Sequence, residues 1–117
     1  MLELSKKLYQ LFSESELFSD VVEKRIFPVV AGEGVGYPFS IYTIQQVPGT
    51  FDGDEYNVGL HTYFSPNKIS EAMRFSDAVK GFIDDRFIYE GSGIDFIDKD
   101  QSIVVSIYFK AICDYVD

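Results

Sequence analysis

Tryptophan is absent from the 117-residue chain, and cysteine and histidine each occur once, as Cys113 and His61. A single cysteine excludes an intramolecular disulfide and any metal site built on several cysteines, and a single histidine leaves little for a zinc centre. No apolar run approaches the roughly 20 residues of a membrane helix, and the first residues lack the basic-then-apolar order of a signal peptide. We therefore expect no metal, no cofactor and no membrane, and a chain that stays in the cytoplasm unless a partner carries it elsewhere.

Basic residues are also scarce, because ten lysines and arginines stand against 19 acids and leave a formal charge of −9. A field of that sign repels the phosphates of nucleic acids, so we expect no direct nucleic-acid binding. The acids are dense over residues 84–100, which hold six acids and two bases. Such a cluster is typical of a solvated face; the sharper alternative is an acidic protein that mimics DNA and inhibits a DNA-binding partner.

The chain is rich in apolar and aromatic side chains. Hydrophobic residues make up 46% of the chain, and its 11 phenylalanines and 8 tyrosines raise the aromatic share to 16%. The length fits one globular domain, residues 1–117, because two cores would each be too small to bury enough surface. This aromatic content is high for so small a core, and we expect some rings to serve an interface.

Two segments have the spacing of amphipathic helices. The first carries apolar residues at helical intervals from Leu4 to Phe12. The second is predicted to start with Ser65 as its N-cap and Pro66 at its first helical position, and to run to about Asp85.

Extended segments separate and follow these helices. Residues 25–30 include Pro28, which confines them to a sheet edge or a strand end. Residues 39–46 are apolar on both faces, which predicts a strand covered on both sides, whereas residues 55–64 and 101–115 alternate as half-buried strands do. The apolar parity switches at Gly91-Ser92-Gly93, which predicts a hairpin or a bulge between two short strands.

The order of these elements predicts an α+β fold. Runs of strands joined by tight turns favour an antiparallel sheet, here of about four to five strands, with two main helices packed on one face.

No motif in the sequence has the pattern of a catalytic or ligand site. His61 has no nucleophile or orienting carboxylate in a recognisable arrangement, so we interpret it as a surface or interface residue. The glycines of residues 32–36 are followed by Pro38 and an extended segment, where a phosphate loop requires a helix. Residues 52–54 and 98–100 resemble fragments of calcium loops but lack the later glycine and glutamate.

The chain as a whole resembles the small tail-completion, or head–tail joining, proteins of long-tailed bacteriophages and prophages. The N-terminal helix ends in the turn Val21-Val22, and Arg25-Ile26-Phe27-Pro28 is similar to the family's Arg-Ile-Tyr-Pro element. Residues 36–42, Gly-Tyr-Pro-Phe-Ser-Ile-Tyr, are similar to its Leu-Pro-Tyr-Ile-Val-Tyr strand. Residues 65–82 match its helix, and residues 102–115 match its closing strand.

This resemblance implies a non-enzymatic structural subunit of the virion, assembled in the cytoplasm of the host bacterium. It implies an α+β domain that forms a ring, expected to be a hexamer, between the head connector and the tail tube, with DNA passing through the lumen. A ring requires interfaces between unlike surfaces of neighbouring copies. We expect such contacts at the edge segment and at the loop of residues 47–54, through Arg25, Phe27, Pro48, Phe51, Asp52 and Asp54.

Two other functions compete with this one. The acidic DNA mimic is favoured by the charge of −9 and by the acids of residues 84–100. A small enzyme or ligand-binding domain would use His61, Tyr63 and nearby acids, although no sequence signature supports a reaction.

Overall fold

The computed structural model of the chain describes residues 2–22, 25–28, 36–47, 53–97 and 101–114. Three helices and five strands occur within these ranges. In chain order they are α1 (Leu2–Glu14), α2 (Glu16–Ser19), β1 (Ile26–Pro28), β2 (Phe39–Val47), β3 (Gly53–Phe64), α3 (Ile69–Asp84), β4 (Ile88–Phe96) and β5 (Ile103–Asp114).

The described strands form one sheet in the order β1-β2-β3-β5-β4. Neighbouring strands run antiparallel, except that β1 pairs with β2 in parallel. The α+β prediction is confirmed, but the prediction of an antiparallel sheet was wrong at this edge. Parallel neighbours need a connection longer than a hairpin turn. Residues 29–38 supply that length, and their composition carries no sign of strand direction.

The helices pack on one face of the sheet and form the core with it. Helix α1 buries Leu4, Leu8 and Phe12, at the helical spacing seen in the sequence. Helix α3 contributes Ala72, Phe75, Val79 and Ile83. The alternation predicted for β3 and β5 is confirmed, because both strands bury every second residue against these helices: Tyr56, Val58, Leu60, Thr62 and Phe64 from β3, and Ile103, Val105, Ile107, Phe109 and Ala111 from β5.

Aromatic rings join the helices within this core. The centroids of Phe12 and Phe18 lie 4.8 Å apart, and Phe18 meets Phe75 edge-on at 5.6 Å. Pairs of this geometry contribute about 0.5–1.5 kcal/mol beyond the area they bury. The cluster therefore ties α1, α2 and α3 together above the sheet.

Polar contacts position α1 and β2. The buried Tyr42 lies in β2, and its hydroxyl group is 3.1 Å from the hydroxyl of Ser5 and donates to the Ser5 carbonyl at 3.2 Å. Ser40 and Thr62 face each other across β2 and β3, and their buried hydroxyls are 2.7 Å apart. Each hydroxyl thereby meets the requirement that a buried polar group find a partner.

Helix α3 starts later than predicted. Pro66 and Asn67 form a turn in which Asn67 has a φ of 70°, and Lys68 stands at the N-cap position. Asparagine tolerates this left-handed conformation, which a continuing helix excludes. The prediction of Ser65 as the N-cap and Pro66 as the first helical residue was therefore wrong by three residues, about one turn.

Strand β4 is continuous through its glycines. Its register against β5 shifts between Tyr89 and Gly91, and Gly91 has a φ of 151°. The extra residue, Glu90, makes a bulge, which is the second of the two structures that the parity switch predicted. The bulge explains why the apolar parity changes without a reversal of the chain.

Candidate interaction surface

The face of the sheet opposite to α1 and α3 is covered by no described helix; we call it the outer face. Strand register places alternate residues of each strand there, and their apolar members lie outside the hydrophobic core. Its residues are Phe27 from β1; Phe39, Ile41, Thr43 and Gln45 from β2; Glu55, Asn57, Gly59, His61 and Tyr63 from β3; Val104, Ser106, Tyr108, Lys110 and Ile112 from β5; and Ile88, Gly91, Gly93 and Asp95 from β4.

The prediction that β2 is covered on both sides was wrong for the described residues. Ser40 and Tyr42 point into the core, whereas Phe39 and Ile41 on the other side are only half-buried. The apolar residues on both sides of β2 thus reflect one core face and one face left available to a partner.

Three aromatic rings stack along one end of the outer face. Tyr37 stacks on Phe39 at a centroid distance of 5.7 Å, and Phe39 stacks on Tyr63 at 5.0 Å. Phe39 and Tyr63 are cross-strand partners in β2 and β3, which brings their side chains together. Tyr37 stays 39% exposed, so the stack presents an amphipathic ring to solvent.

His61 and Ser106 form a polar pair near the centre of the outer face. They face each other across β3 and β5, and the His61 Nδ1 is 2.8 Å from the Ser106 Oγ. The Tyr108 ring meets the imidazole edge-on at 5.7 Å. Partial burial lowers the pKa of His61, because it disfavours the charged form. The imidazole is therefore neutral at pH 7.

The chemistry of this pair is that of a cross-strand contact. A nucleophilic serine requires a base that a third group orients, together with donors for an oxyanion. Around His61 the structure places the Tyr108 ring, the Thr43 side chain and the backbone of Gly59. A Cβ atom on Gly59 would lie 2.9 Å from the His61 Nε2, so glycine at this position leaves room for the imidazole.

Charged residues occupy the rim of the outer face. Lys110 and Glu55 form an ion pair at 3.4 Å, and Asp95 lies on the edge strand β4. On the three middle strands β2, β3 and β5, the outer-face positions of the rows from Phe39 to Tyr108 carry no charged side chain. An uncharged centre with a polar rim is the usual composition of a protein–protein interface.

Large apolar side chains are exposed beside this centre. Tyr108 is 47% exposed, Ile112 50% and Ile88 52%. Sequence reasoning did not name them as interface residues. Two features of the sequence could have indicated them. One is the surplus of aromatic residues, and the other is the presence of Tyr108 and Ile112 on the face of β5 that also carries Ser106 and Lys110.

Four of the acids of residues 84–100 lie within the described residues, at the end of α3 and on β4. Asp84 and Asp85 end α3, where carboxylates oppose the helix dipole, and Glu90 and Asp95 belong to the edge strand β4. Arg86 lies over the Phe82 ring at 3.9 Å and donates to the Phe82 carbonyl at 3.1 Å. Asp98, Lys99 and Asp100 lie outside the described residues.

The six predicted interface residues fall in two places. The Nε of Arg25 donates to the Pro38 carbonyl at 2.9 Å, and the Ser40 amide donates to the Arg25 carbonyl at 2.8 Å, so Arg25 ties β1 to β2. Phe27 is half-buried on the outer face beside Ile41.

The second group is the loop between β2 and β3. Pro48, Phe51 and Asp52 lie outside the described residues. Asp54 is the second residue of β3 and lies opposite Cys113, and only its backbone is described. Asp54 lies seven positions before His61 in β3, which is about 23 Å of strand. Register aligns Phe27 with Ile41 and His61, so Phe27 and Asp54 lie towards different ends of the sheet.

Two open grooves flank the helices. The larger, of about 570 Å³, lies between α1, the end of α3 and β5, and its lining includes Leu4, Leu8, Phe87 and Ala111. Within the described ranges, no group of three or more histidine, cysteine or acidic residues is placed to hold a metal ion. No helix in that part of the chain has the length and apolar character needed to cross a membrane.

Comparison with known proteins gives a likeness of fold. No protein-family model matches the chain, and no curated protein matches it in sequence. Among solved structures, it resembles a chain in the virion of a native gene transfer agent particle, with a TM-score of 0.68 and 10% sequence identity. The match covers 92% of this chain and 91% of the other. At that identity the likeness shows that the two chains share a fold.

Proposed function

We propose that the chain is a structural subunit of a phage or prophage virion. The observation that carries this proposal is the fold shared, over nearly the whole of both chains, with a chain of a gene transfer agent virion. The resemblance of residues 25–28 and 36–42 to the tail-completion family points in the same direction. The uncharged, partly apolar outer face fits a protein that works through contacts with other proteins.

Within the virion, we propose a place in the ring that joins head and tail. The subunits form a hexamer between the head connector and the tail tube, and the edge segment with Arg25 and Phe27 contacts the next copy. The loop with Pro48, Phe51, Asp52 and Asp54 reaches a neighbouring subunit or an adjoining ring. The net charge of −9 keeps DNA from binding as it passes through the lumen.

We assign no reaction to the chain. The only histidine, His61, contacts the Ser106 hydroxyl and the edge of the Tyr108 ring. This environment suits a contact surface better than a catalytic site, because the grooves that Ser106 and Tyr108 line are open and not enclosed.

Particles assembled without the chain test the joining role. We expect electron microscopy to show complete heads and tails that fail to join, or tails of uncontrolled length, and supplying the parent chain from a plasmid should restore joining. Fully infectious virions assembled without the chain would contradict the proposal.

The acidic DNA mimic remains a second candidate because Asp84, Asp85, Glu90 and Asp95 follow one another along α3 and β4. A mimic binds a nuclease or repressor in a salt-sensitive way. We expect no such binding at low ionic strength; binding that weakens when Glu90 and Asp95 become Gln and Asn would favour the mimic.

A further inference from the structure

We propose that the sheet continues from one copy of the chain to the next, with β1 of one copy pairing with β4 of its neighbour. The proposal rests on the ring proposed above and deepens it, because it names the surface that receives the edge segment with Arg25 and Phe27. Strands β1 and β4 are the outermost strands of the sheet that the described residues form. They differ from each other, as the two sides of a head-to-tail contact do.

The directions of the strands suit this pairing. Strands β1, β2 and β5 run one way, and β3 and β4 run the other way. When a second sheet continues the first with its helices on the same side, β1 therefore meets β4 of the neighbour in antiparallel orientation. Antiparallel pairs are slightly more stable per residue than parallel pairs.

At the β1 edge, the backbone groups of Ile26 point away from β2. The Ser40 amide donates to the Arg25 carbonyl at 2.8 Å, so the Arg25 carbonyl faces β2. Because backbone direction alternates along a strand, the amide and the carbonyl of Ile26 face outward. Pro28 has no N–H to donate, so this edge offers one full pair of backbone groups and one further carbonyl.

At the β4 edge, the corresponding residue is Ile94. The Ile97 amide donates to the Ser102 carbonyl at 2.8 Å, so Ile97 faces the segment that leads into β5. By the same alternation, the backbone groups of Ile94 and Phe96 point away from β5. In agreement with this direction, the Phe96 amide donates to the carboxylate of the preceding Asp95 at 3.1 Å.

One register satisfies both edges. When Ile26 lies opposite Ile94 of the neighbour, their outward backbone groups meet, and both side chains lie on the side of the sheet that packs on the helices. The same register sets Phe27 opposite Gly93. A Cβ atom on Gly93 would meet nothing within 4 Å, so the Phe27 ring has room over the neighbouring strand.

This register also sets Arg25 opposite Asp95, which is exposed on β4. Opposite charges directly across two strands stabilise the pair. A guanidinium has five N–H donors, of which the Pro38 carbonyl takes one, so the contact with β2 is compatible with a carboxylate partner. A shift of two residues in either direction sets Arg25 opposite Gly93 or Ile97 and loses the charge pair.

The acids of β4 favour β1 over a second β4 as the partner. Antiparallel pairing of two β4 strands brings Glu90 and Asp95 of one copy close to the same acids of the other, and like charges across strands destabilise a pair. Charged side chains are a usual means of keeping an edge strand from pairing at random. A basic residue beside β1 makes that edge the one that fits.

Charge reversal tests the contact, because two chains can repair it between them. Alone, Arg25→Asp and Asp95→Arg each set like charges opposite each other. We expect sedimentation velocity over a concentration series to show association at least about threefold weaker than that of the parent. In an equal mixture, every contact between the two variants joins opposite charges again, and we expect association within about twofold of the parent.

Two further comparisons separate the contact from general effects. Glu90→Arg changes the charge of β4 by the same amount as Asp95→Arg, beyond the residues that β1 meets, and should weaken association less than about twofold. Ile94→Pro removes an amide that faces the edge, a position that tolerates proline. We expect it to weaken association at least about threefold more than Ile94→Ala, which removes the side chain and keeps the amide.

Three results would overturn the proposal, provided that the circular dichroism spectra match that of the parent chain. These are a parent that stays monomeric up to its solubility limit, an Asp95→Arg variant that associates no more weakly than Glu90→Arg, and a mixture that associates no better than its two components. If Arg25→Asp fails to fold, equal association of Ile94→Pro and Ile94→Ala overturns the proposal instead.

The outcome is distinguishable from that of the proposed function. If mixing restores association but virions are complete without the chain, the joining role fails and the contact stands. If joining requires the chain but the mixture stays dissociated, the contact fails and the joining role stands.

Discussion

The hydroxyl groups of Ser40 and Thr62 lie in the core face of the sheet, 2.7 Å apart. Thr62→Val keeps the shape of the side chain but leaves the Ser40 hydroxyl without its partner, which costs about 1–3 kcal/mol of unfolding free energy. We expect the double variant Ser40→Ala/Thr62→Val to recover much of this loss, because it removes both polar groups. Urea denaturation measures all three proteins. A single variant as stable as the parent would show that the pair contributes nothing.

A second prediction at the residue scale concerns His61 and pH. Because burial lowers the pKa of His61 in the folded chain, the unfolded chain binds a proton more readily. The contribution of a neutral His61 is thus complete above the ordinary histidine pKa of about 6.5 and is lost as the pH falls through the lower folded value. We expect the parent to lose stability relative to His61→Gln between about pH 7 and pH 5.

Chemical denaturation of both proteins at several pH values checks this prediction. The comparison with His61→Gln removes the contribution of the acidic residues, which titrate in both proteins. A stability difference that does not change with pH would contradict the lowered pKa.

At the scale of the elements, the bulge in β4 depends on the backbone conformation of one glycine. Gly91 has a φ of 151° at the bulge, and a Cβ atom there would meet nothing within 4 Å. Gly91→Ala therefore tests backbone conformation alone, and we expect it to destabilise the fold by about 1–3 kcal/mol. Gly93→Ala is the matched control, because its Cβ atom also has open space and its backbone shows no positive φ.

Thermal and urea unfolding distinguish these two glycine variants. We expect Gly93→Ala to be neutral or to stabilise the chain by less than about 1 kcal/mol, because alanine restricts the unfolded chain more than glycine does. Equal destabilisation by both variants would show that the bulge conformation is not the reason for Gly91.

The elements differ in how much of them the sequence could predict. The alternation in β3 and β5 predicted their buried faces because one side packs on helices. The start of α3 could not be predicted from Ser65-Pro66, because the same residues also begin the turn that Asn67 completes. The direction of β1 could not be predicted either, because its three residues, Ile26-Phe27-Pro28, carry no pattern that distinguishes parallel from antiparallel pairing.

At the scale of the whole molecule, the sheet has one face packed on helices and one face that no described helix covers. The surplus of aromatic residues predicted that some rings would serve an interface, but single-strand patterns could not show which. The apolar residues of β2, β3 and β5 become one surface only when the register aligns Phe39 with Tyr63 and Gly59 with Tyr108. The molecule, 46 × 27 × 25 Å in extent, presents this surface along its long strands.

The central claim is that the chain is a part of the virion. Quantitative mass spectrometry of purified, infectious particles measures it most directly, with the head connector as an internal reference. We predict that the chain is present in every preparation at one fixed ratio to the connector, which a hexameric ring sets. Infectious particles that contain none of it, or amounts that vary with the degree of purification, would contradict this account.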